Sequence, residues 1–161
     1  MVPLTLVVRL KIRRLQSSDY GAIVRIEKAV LGEYRQYLKR TGERDEVPSG
    51  IQPTYFNHYV RTKSSFVAAA DGKVVGFVLT QPMYFADGEK KILWLDYIAI
   101  KSRFRRRGVG SSLLSRVESW ATQYSCNMLY ASLNPNNTPS RRLLDRKGFT
   151  VRNWMKAVKE L

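Results

Sequence analysis

The hydrophobic pattern of the first third of the chain predicts one strand followed by helices. Every second residue is apolar over Leu4–Ile12, which is the period of a half-buried strand. Apolar residues then recur at helical spacing over Ile23–Leu31, and Gly32 follows as the expected helix end. A short helix over Tyr34–Lys39 and another over Pro53–Thr62 complete the prediction for this region.

Tight turns separate three apolar runs in the middle of the chain. Phe66–Ala70 and Val74–Thr80 flank Asp71–Gly72, and an Asp-Gly pair favours the tight turn of a β-hairpin. A second Asp-Gly pair, Asp87–Gly88, precedes the apolar run Ile92–Ile100. The pattern therefore predicts three consecutive antiparallel strands.

Helix and strand alternate in the last third. Leu113–Tyr124 has the clearest amphipathic pattern of the chain, and Met128–Leu133 is predicted to be a strand. Thr138 begins another helix as its capping residue, with a proline in the first turn, and Gly148 ends that helix. Phe149–Val158 is predicted to be a final strand region.

The order of these elements defines the fold class. Strand, helices, three antiparallel strands, helix, strand, helix and strand make an α/β (α+β) fold with a mixed, mostly antiparallel central sheet flanked by helices. The chain has 161 residues and contains no internal repeat, low-complexity tract or Pro/Gly/Ser-rich linker. We therefore expect residues 1–161 to form one domain.

Composition adds charge to this picture. The chain has 28 Lys and Arg against 13 Asp and Glu, a net charge of +15, which favours anionic partners such as nucleotides, nucleic acid or acidic proteins. A solvated basic surface is the alternative. One cysteine, Cys126, and one histidine, His58, exclude a disulfide framework and a zinc cluster, and we expect no bound metal. The absence of a signal-peptide pattern and of an apolar run near ~18 residues predicts a cytoplasmic protein outside the membrane.

A basic, glycine-containing turn between the strand Ile92–Ile100 and the helix Leu113–Tyr124 carries the candidate chemistry. Gly108 and Gly110 let the backbone approach a ligand closely, and amides at a helix N-terminus attract phosphate oxygens. Residues 101–116 include six basic residues and no acidic one. The turn therefore predicts a polyanion site, most naturally for a pyrophosphate, with an ordinary helix start as the alternative. The P-loop pattern and the dinucleotide fingerprint are both missing.

Two segments together resemble one protein family. Arg105-x-x-Gly108-x-Gly110, placed between a strand and an amphipathic helix, resembles the acetyl-CoA signature of the GNAT family of N-acetyltransferases. Asn137–Phe149 resembles the family segment Asn-x-x-Ala-x-x-Leu-Tyr-x-x-x-Gly-Phe, and the order of elements matches the family fold. The resemblance covers essentially the whole chain. It implies an acetyltransferase that uses acetyl-CoA, with a strand pair that splays at a bulge.

The resemblance also implies binding roles. The backbone of Ile98 and Ile100 would bond the pantetheine arm, amides over residues 106–111 would hold the pyrophosphate, and Asn137 would contact the arm or a nearby carbonyl. The expected cofactor-binding residues are Ile98, Ile100, Arg105, Arg106, Arg107, Gly108, Val109, Gly110, Ser111, Asn137 and Ser140.

The family mechanism implies direct attack of an amine on the thioester in a ternary complex. The expected catalytic residues are Asp96 as base, Tyr130 as proton donor and Ile98, whose backbone N–H would stabilise the oxyanion. Asp96 is expected on the strand face of Ile98 and Ile100 by the period-2 rule, with a pKa raised by apolar neighbours. A structural carboxylate paired to an arginine is the alternative for Asp96.

The proton donor is where the chain departs from the family pattern. The family's tyrosine falls at Leu144, which cannot donate a proton, whereas general acid assistance typically contributes ~10²–10⁴ in rate. A thiolate is a tolerable leaving group, so Tyr130, Tyr97 or water can take the role. Glu27 and Glu33 are further candidate bases. A non-catalytic acyl-CoA-binding regulatory domain and a basic nucleic-acid-binding protein are the alternative functions.

The acceptor remains open at the level of sequence. A protein N-terminus, a lysine or a small amine would each fit, because acids and bases are mixed between Glu33 and Pro53. The basic surface also allows weak association with nucleic acid or the ribosome. The sequence does not distinguish a monomer from a homodimer.

Overall fold

Five strands and four α-helices build the fold of the computed structural model, which describes residues 9–44, 47, 49–84, 90–152 and 157–161. The strands are β1 (Leu10–Arg14), β2 (Phe66–Ala70), β3 (Lys73–Tyr84), β4 (Lys91–Ile100) and β5 (Met128–Ala131). The α-helices are α1 (Tyr20–Thr41), α2 (Pro53–Thr62), α3 (Val109–Gln123) and α4 (Thr138–Arg146). The sheet order is β1-β2-β3-β4-β5, with antiparallel pairs up to β4 and a parallel pair between β4 and β5. The predicted mixed, mostly antiparallel sheet is confirmed.

Each face of the sheet is covered by helices. On one face Leu93 of β4 belongs to the same buried cluster as Leu113 of α3, and α4 joins this layer. On the other face Phe77 of β3 clusters with Ile26 of α1 and Phe56 of α2. All five side chains are at most 1% exposed, and burying one of this size contributes about 1.5–3 kcal/mol. These two cores fix α1 and α2 on one side of the sheet and α3 and α4 on the other.

The predicted hairpin between β2 and β3 is confirmed. Asp71 and Gly72 have φ values of 48° and 76°, which are the left-handed values that a two-residue primed turn requires.

A bulge interrupts β4 at its centre. The register pairs Leu95 with Thr80 and Tyr97 with Leu79, so Asp96 has no residue opposite it. The buried backbone beside the bulge stays satisfied, because the Thr80 amide donates to Ser65 Oγ at 2.9 Å. The bulge matters for the site because it reverses the alternation of side chains along β4.

The predicted end of the first helix at Gly32 is wrong. The helix α1 continues to Thr41, and Gly42 ends it in a left-handed conformation with φ 72°. A Cβ at Gly32 would meet nothing within 4 Å, so the glycine sits in the helix without a packing requirement. The predicted short helix over Tyr34–Lys39 is the second half of α1. The helix predicted over Pro53–Thr62 is confirmed as α2.

The cap of α4 also differs from the prediction. Asn137, not Thr138, is the capping residue, since its Oδ1 accepts the Ser140 amide at 3.2 Å. A capping residue lies just outside the helix, and its side chain bonds the free amides of the first turn. Because Asn137 is the cap, Thr138 is the first residue of the helix. Gly148, with φ 79°, follows the end of the helix as predicted.

The final strand predicted over Phe149–Val158 is wrong for the residues that the structure describes. Residues 149–152 and 157–158 have no strand conformation, and Val151 and Val158 are 51% and 69% exposed. Of the described residues in this segment, Phe149 packs against the core without forming a strand.

Two predictions concern residues outside the described ranges. They are the Asp87–Gly88 turn and the first part of the strand over Leu4–Ile12, whose end is confirmed as part of β1. Among the described helices, none has both the length and the apolar character needed to cross a bilayer.

Candidate active site

A cleft opens where β4 and β5 diverge. The parallel pairing ends at Leu95 and Ala131, whereas β4 continues to Ile100 with β3 as its partner. The backbone groups of β4 that point toward the cleft have no ladder partner there, so they can bond a ligand. This confirms the splayed strand pair, and the cleft has a volume of about 170 Å³. Its lining residues are Leu95, Asp96, Tyr97, Ile98, Ala131, Ser132, Leu133, Asn134, Asn137, Ser140, Leu143 and Leu144.

The turn that leads from β4 into α3 has the geometry of an anion site. Arg106 and Gly108 adopt left-handed conformations with φ 56° and 78°. Turns of this kind direct successive amides toward one concave side. The first bond inside α3 runs from the Ser112 amide to the Gly108 carbonyl, so the amides of residues 109–111 have no acceptor within the helix. The turn therefore presents free donors at the positive end of a helix dipole.

The second glycine of the turn serves packing. A Cβ at Gly110 would lie 2.9 Å from Leu143 Cδ2 and 3.2 Å from Ile100 Cδ1. Glycine thus allows α3 to approach both α4 and β4 closely at the head of the cleft.

The Arg105 side chain is engaged within the protein. Its Nε donates to the Ile100 carbonyl at 2.8 Å, and its guanidinium donates to Glu33 Oε2 at 2.6 Å. A phosphate contact from this guanidinium would have to replace these bonds, whereas Arg106 and Arg107 are exposed beside the turn. Cofactor binding by Arg105 stays a prediction.

Residues of the second predicted segment line the side of the cleft opposite β4, which we call the far bank. Asn137 and Ser140 both line the cleft, although Asn137 Oδ1 is used to cap α4. Leu144 lines it too, is 8% exposed and packs into the core. The structure thus places an apolar side chain at the position where the family pattern has a tyrosine.

The Asp96 side chain lies on the opposite face from the one predicted. Its Oδ2 accepts the Tyr59 hydroxyl of α2 at 3.0 Å, on the face covered by α1 and α2. Ile98 and Ile100 pack on the α3 face. The expectation that the three share a face is wrong because the bulge at Asp96 breaks the period-2 alternation.

Asp96 is exposed as a residue, but its carboxylate is partly desolvated. This desolvation raises its pKa, and hydrogen bonds from Tyr59, Gln81 and Trp94, together with the charge of His58, oppose that rise without cancelling it. Within the described ranges, the ion pairs join Arg13 to Asp19, Arg105 to Glu33 and Lys147 to Glu118, and none involves Asp96. The alternative of an arginine-paired Asp96 finds no support in these residues.

Aromatic rings border this carboxylate. Trp94 and Tyr130 face each other across β4 and β5, with ring centroids 6.2 Å apart and planes 3° apart. The exposed His58 of α2 lies 3.1 Å from Gln81 through its Nε2. Tyr130 therefore lies at the edge of the same cluster as Asp96. The sequence did not single out Tyr59 or Trp94; the one signal for Tyr59 is its spacing of three from the buried Phe56.

Glu27 forms a separate buried site between α1 and the loop before α2. It is 3% exposed, and its Oε2 accepts the Ile51 amide at 2.8 Å. Burial raises the pKa of Glu27, and the Ile51 bond opposes the rise. Burial also raises the pKa of Tyr97, with a further contribution from the Glu27 charge, so Tyr97 keeps its proton. Glu33, the other candidate base, is paired with Arg105.

We expect Glu27→Gln to make the protein relatively more stable as pH rises from about 4 to about 7. A raised pKa in the folded state stabilises the protein below the unfolded pKa, and this contribution is lost as pH rises through the folded pKa. Glutamine keeps an oxygen for the Ile51 amide and does not ionise. Thermal unfolding of the variant and the wild type at both pH values measures the effect. The exposed Glu160→Gln is the control, and a Glu27 difference that is equal at both pH values contradicts the prediction.

The fold and the site together define a class of protein, an α/β domain with a cleft between splayed strands that leads to a helix start with the geometry of an anion site. The model of the acetyltransferase (GNAT) family matches residues 28–149. The chain belongs to this family.

Named relatives agree with this assignment. The chain is 30% identical over 89 residues to an aminoglycoside N(6′)-acetyltransferase type 1 of Salmonella typhimurium, covering 53% of this chain and 61% of that protein. It is 33% identical over 82 residues to a spermine/spermidine N(1)-acetyltransferase of Bacillus subtilis, covering 49% and 54%. The matches thus span roughly half to three fifths of each relative.

The fold has counterparts among solved structures. An aminoglycoside acetyltransferase from an uncultured soil metagenomic sample, in complex with trehalose, superposes with a TM-score of 0.71 at 16% identity. The match covers 94% of this chain and 95% of that one, and at this identity it shows a shared fold.

Proposed function

We propose that this protein is an N-acetyltransferase that transfers an acetyl group from acetyl-CoA to a primary amine. The observation that carries the proposal is the arrangement around β4. A cleft and a turn with the geometry of an anion site lie along this strand, and a carboxylate that accepts the Tyr59 hydroxyl projects from its bulge on the opposite face. Membership of the acetyltransferase family supports the same activity.

The residues present fit acetyl-CoA. Amides over residues 106–111, of which those of residues 109–111 have no acceptor within α3, would hold the pyrophosphate, and the exposed Arg106 and Arg107 add positive charge beside them. The pantetheine arm would lie in the cleft, bonded to the backbone of Ile98 and Ile100, with Asn137 and Ser140 on the far bank. The thioester would then lie next to the bulge.

The chain supplies a group for each step of the transfer. Bound acetyl-CoA would supply the thioester that the amine attacks, and the Ile98 amide would stabilise the negative charge that develops on the acyl oxygen. Asp96 accepts the proton that the amine loses, for which a raised pKa makes it a stronger base. Tyr130 or water would protonate the thiolate that leaves when the C–S bond breaks. Leu144 contributes no proton, and a thiolate tolerates this loss.

The proposal places the acceptor on the face covered by α1 and α2. Asp96 keeps its charge available to an ammonium group, because no described lysine or arginine forms an ion pair with it. The rings of Trp94 and Tyr130 offer π faces that also attract cations. By their names, the relatives above act on an aminoglycoside and on polyamines; a protein N-terminus or a lysine offers the same reacting group.

Two measurements test the proposal in sequence. Isothermal titration of the chain with acetyl-CoA should show saturable binding, and no binding at high micromolar ligand would overturn the proposal. Thiol release from acetyl-CoA is then measured with spermidine, an aminoglycoside and a peptide with a free N-terminus. Release with at least one acceptor supports the enzyme, whereas binding without release on any of them favours the non-catalytic alternative that Leu144 motivates.

A cytoplasmic location and weak association of the basic surface with nucleic acid or the ribosome are also part of the proposal. The net charge of +15 supports the association. Co-sedimentation with ribosomes at low and high salt tests it, because binding through phosphates weakens steeply with salt.

A further inference from the structure

The second half of α1 reaches the turn that follows β4, on the β4 side of the cleft, which we call the near bank. Glu33, one residue after Gly32, bonds the Arg105 guanidinium at 2.6 Å. The same guanidinium holds the Ile100 carbonyl at the end of β4. Arg105 thus joins α1 to the strand and to the turn that would bind the phosphates.

The same stretch of chain also reaches the far bank. The Tyr34 hydroxyl accepts from Asn134 Nδ2 at 3.4 Å, and Glu43 Oε2 accepts from Asn136 Nδ2 at 3.0 Å. Tyr37 donates to the other Glu43 oxygen at 3.0 Å, which holds that carboxylate in place. Residues 32–43, which we call the strap, therefore bond both banks of the splayed strand pair.

Gly32 marks a change in how α1 is held. Before it, Ile23, Ile26 and Leu31 are buried against the sheet. After it, the sequence-distant hydrogen bonds and the ion pair described above join the strap to the cleft. A Cβ at position 32 would meet nothing within 4 Å, so packing does not require glycine there. Glycine in a helix interior lowers its stability, so α1 is weakened at the start of the strap.

We propose that the strap closes over the cofactor cleft, with Gly32 as its hinge and the Glu33–Arg105 ion pair as its latch. This rests on the proposed function, because acetyl-CoA is the ligand that the strap would enclose. Arg105 is then a positioning residue that links α1 to the turn whose amides would hold the phosphates. A closed strap binds both banks, so ligand release requires these bonds to open, and closure and cofactor binding favour each other.

The first test is Glu33→Gln, which removes the latch charge and keeps the side-chain shape. We expect etheno-coenzyme A, a fluorescent analogue, to leave the variant about two to five times faster in a stopped-flow chase with acetyl-CoA, since an exposed ion pair contributes modestly. Glu118→Gln is the control, because it breaks the partly exposed Lys147–Glu118 pair between α3 and the residue that follows α4. The control should release the analogue at the wild-type rate.

The second test follows the strap by hydrogen exchange. Acetyl-CoA should slow amide exchange over residues 33–41 in the wild type, and less so in Glu33→Gln. Gly32→Ala should slow exchange over the same residues without ligand and retard release of the analogue. Gly21→Ala, in the first turn of α1, is its control.

The outcomes separate the strap from the proposed function. The proposed closure is contradicted if the wild type binds acetyl-CoA, the ligand does not slow exchange over residues 33–41, and Glu33→Gln releases the analogue at the rate of Glu118→Gln. The proposed function would then stand. If the wild type binds no acetyl-CoA, both are overturned.

Discussion

We expect Asp96→Asn to lower kcat by about 10²-fold or more, because general base catalysis typically contributes ~10²–10⁴ in rate. Asparagine keeps an oxygen for the Tyr59 hydroxyl, so the cluster at the bulge should remain assembled. It cannot accept the proton that the attacking amine loses. Affinity for acetyl-CoA should stay close to the wild-type value, because the Asp96 side chain points to the face opposite α3. Steady-state thiol release and isothermal titration measure the two quantities.

The pH dependence gives an independent readout of the same residue. Asp96 must be ionised to take a proton, so kcat/KM should fall as pH falls through its folded pKa. Burial places that pKa above the ordinary aspartate value of about 3.9. The acid limb should therefore lie above this value in the wild type and disappear in Asp96→Asn.

Two variants control for charge and for hydrogen bonding. Asp145→Asn makes the same change on an exposed part of α4 and should leave kcat unchanged. Tyr59→Phe removes one hydrogen bond from Asp96, which should raise its pKa further and shift the acid limb to higher pH. An Asp96→Asn variant with wild-type turnover would remove Asp96 from the mechanism.

Local patterns were sufficient for the features that depend on neighbours in sequence. The hairpin at Asp71–Gly72 follows from two residues that tolerate positive φ, and the geometry of the turn at Gly108 follows from this glycine beside a helix start. Each of these features is built within one short segment, so the sequence already contains the physical cause.

The reversed face of Asp96 could not be predicted in this way. The period-2 rule assumes an unbroken ladder, whereas β4 carries a bulge opposite Leu79 and Thr80. Beside that bulge the Thr80 amide bonds Ser65 Oγ, a buried contact between residues 15 apart. Tyr59 reaches Asp96 across 37 residues, so tertiary packing alone brings them together.

The predicted helix boundaries were wrong for a related reason. Glycine is a common helix end, but at Gly32 the partners that hold the following turns lie far away in sequence, such as Arg105. At α4, Thr138 and Asn137 are both good caps, and the geometry of the preceding turn selects Asn137. Propensity permits several boundaries, and the surrounding structure, distant at α1 and local at α4, determines which one forms.

The second large effect is expected for Gly108→Ala, which should weaken acetyl-CoA binding about 5- to 30-fold. The space around position 108 is open, since a Cβ would meet nothing within 4 Å, but φ is +78°. A left-handed alanine costs roughly 1–2 kcal/mol, which corresponds to this range of affinity. The turn is exposed and is not held in a strand ladder, so we expect it to relax in the free protein. Returning the turn to the left-handed conformation that directs its amides toward the phosphates then costs binding energy. Titration with acetyl-CoA measures this cost.

Gly72→Ala is the matched control because it has the same open surroundings and a φ of +76°. Its turn is held by the ladder of β2 and β3, so it cannot relax without breaking the hairpin. The same strain should therefore appear as a loss of roughly 1–2 kcal/mol in the free energy of unfolding, with unchanged acetyl-CoA binding. Gly108→Ala should show the opposite balance, a smaller loss of stability and a larger loss of affinity. Wild-type affinity in Gly108→Ala would show that the amides of this turn do not hold the cofactor phosphates.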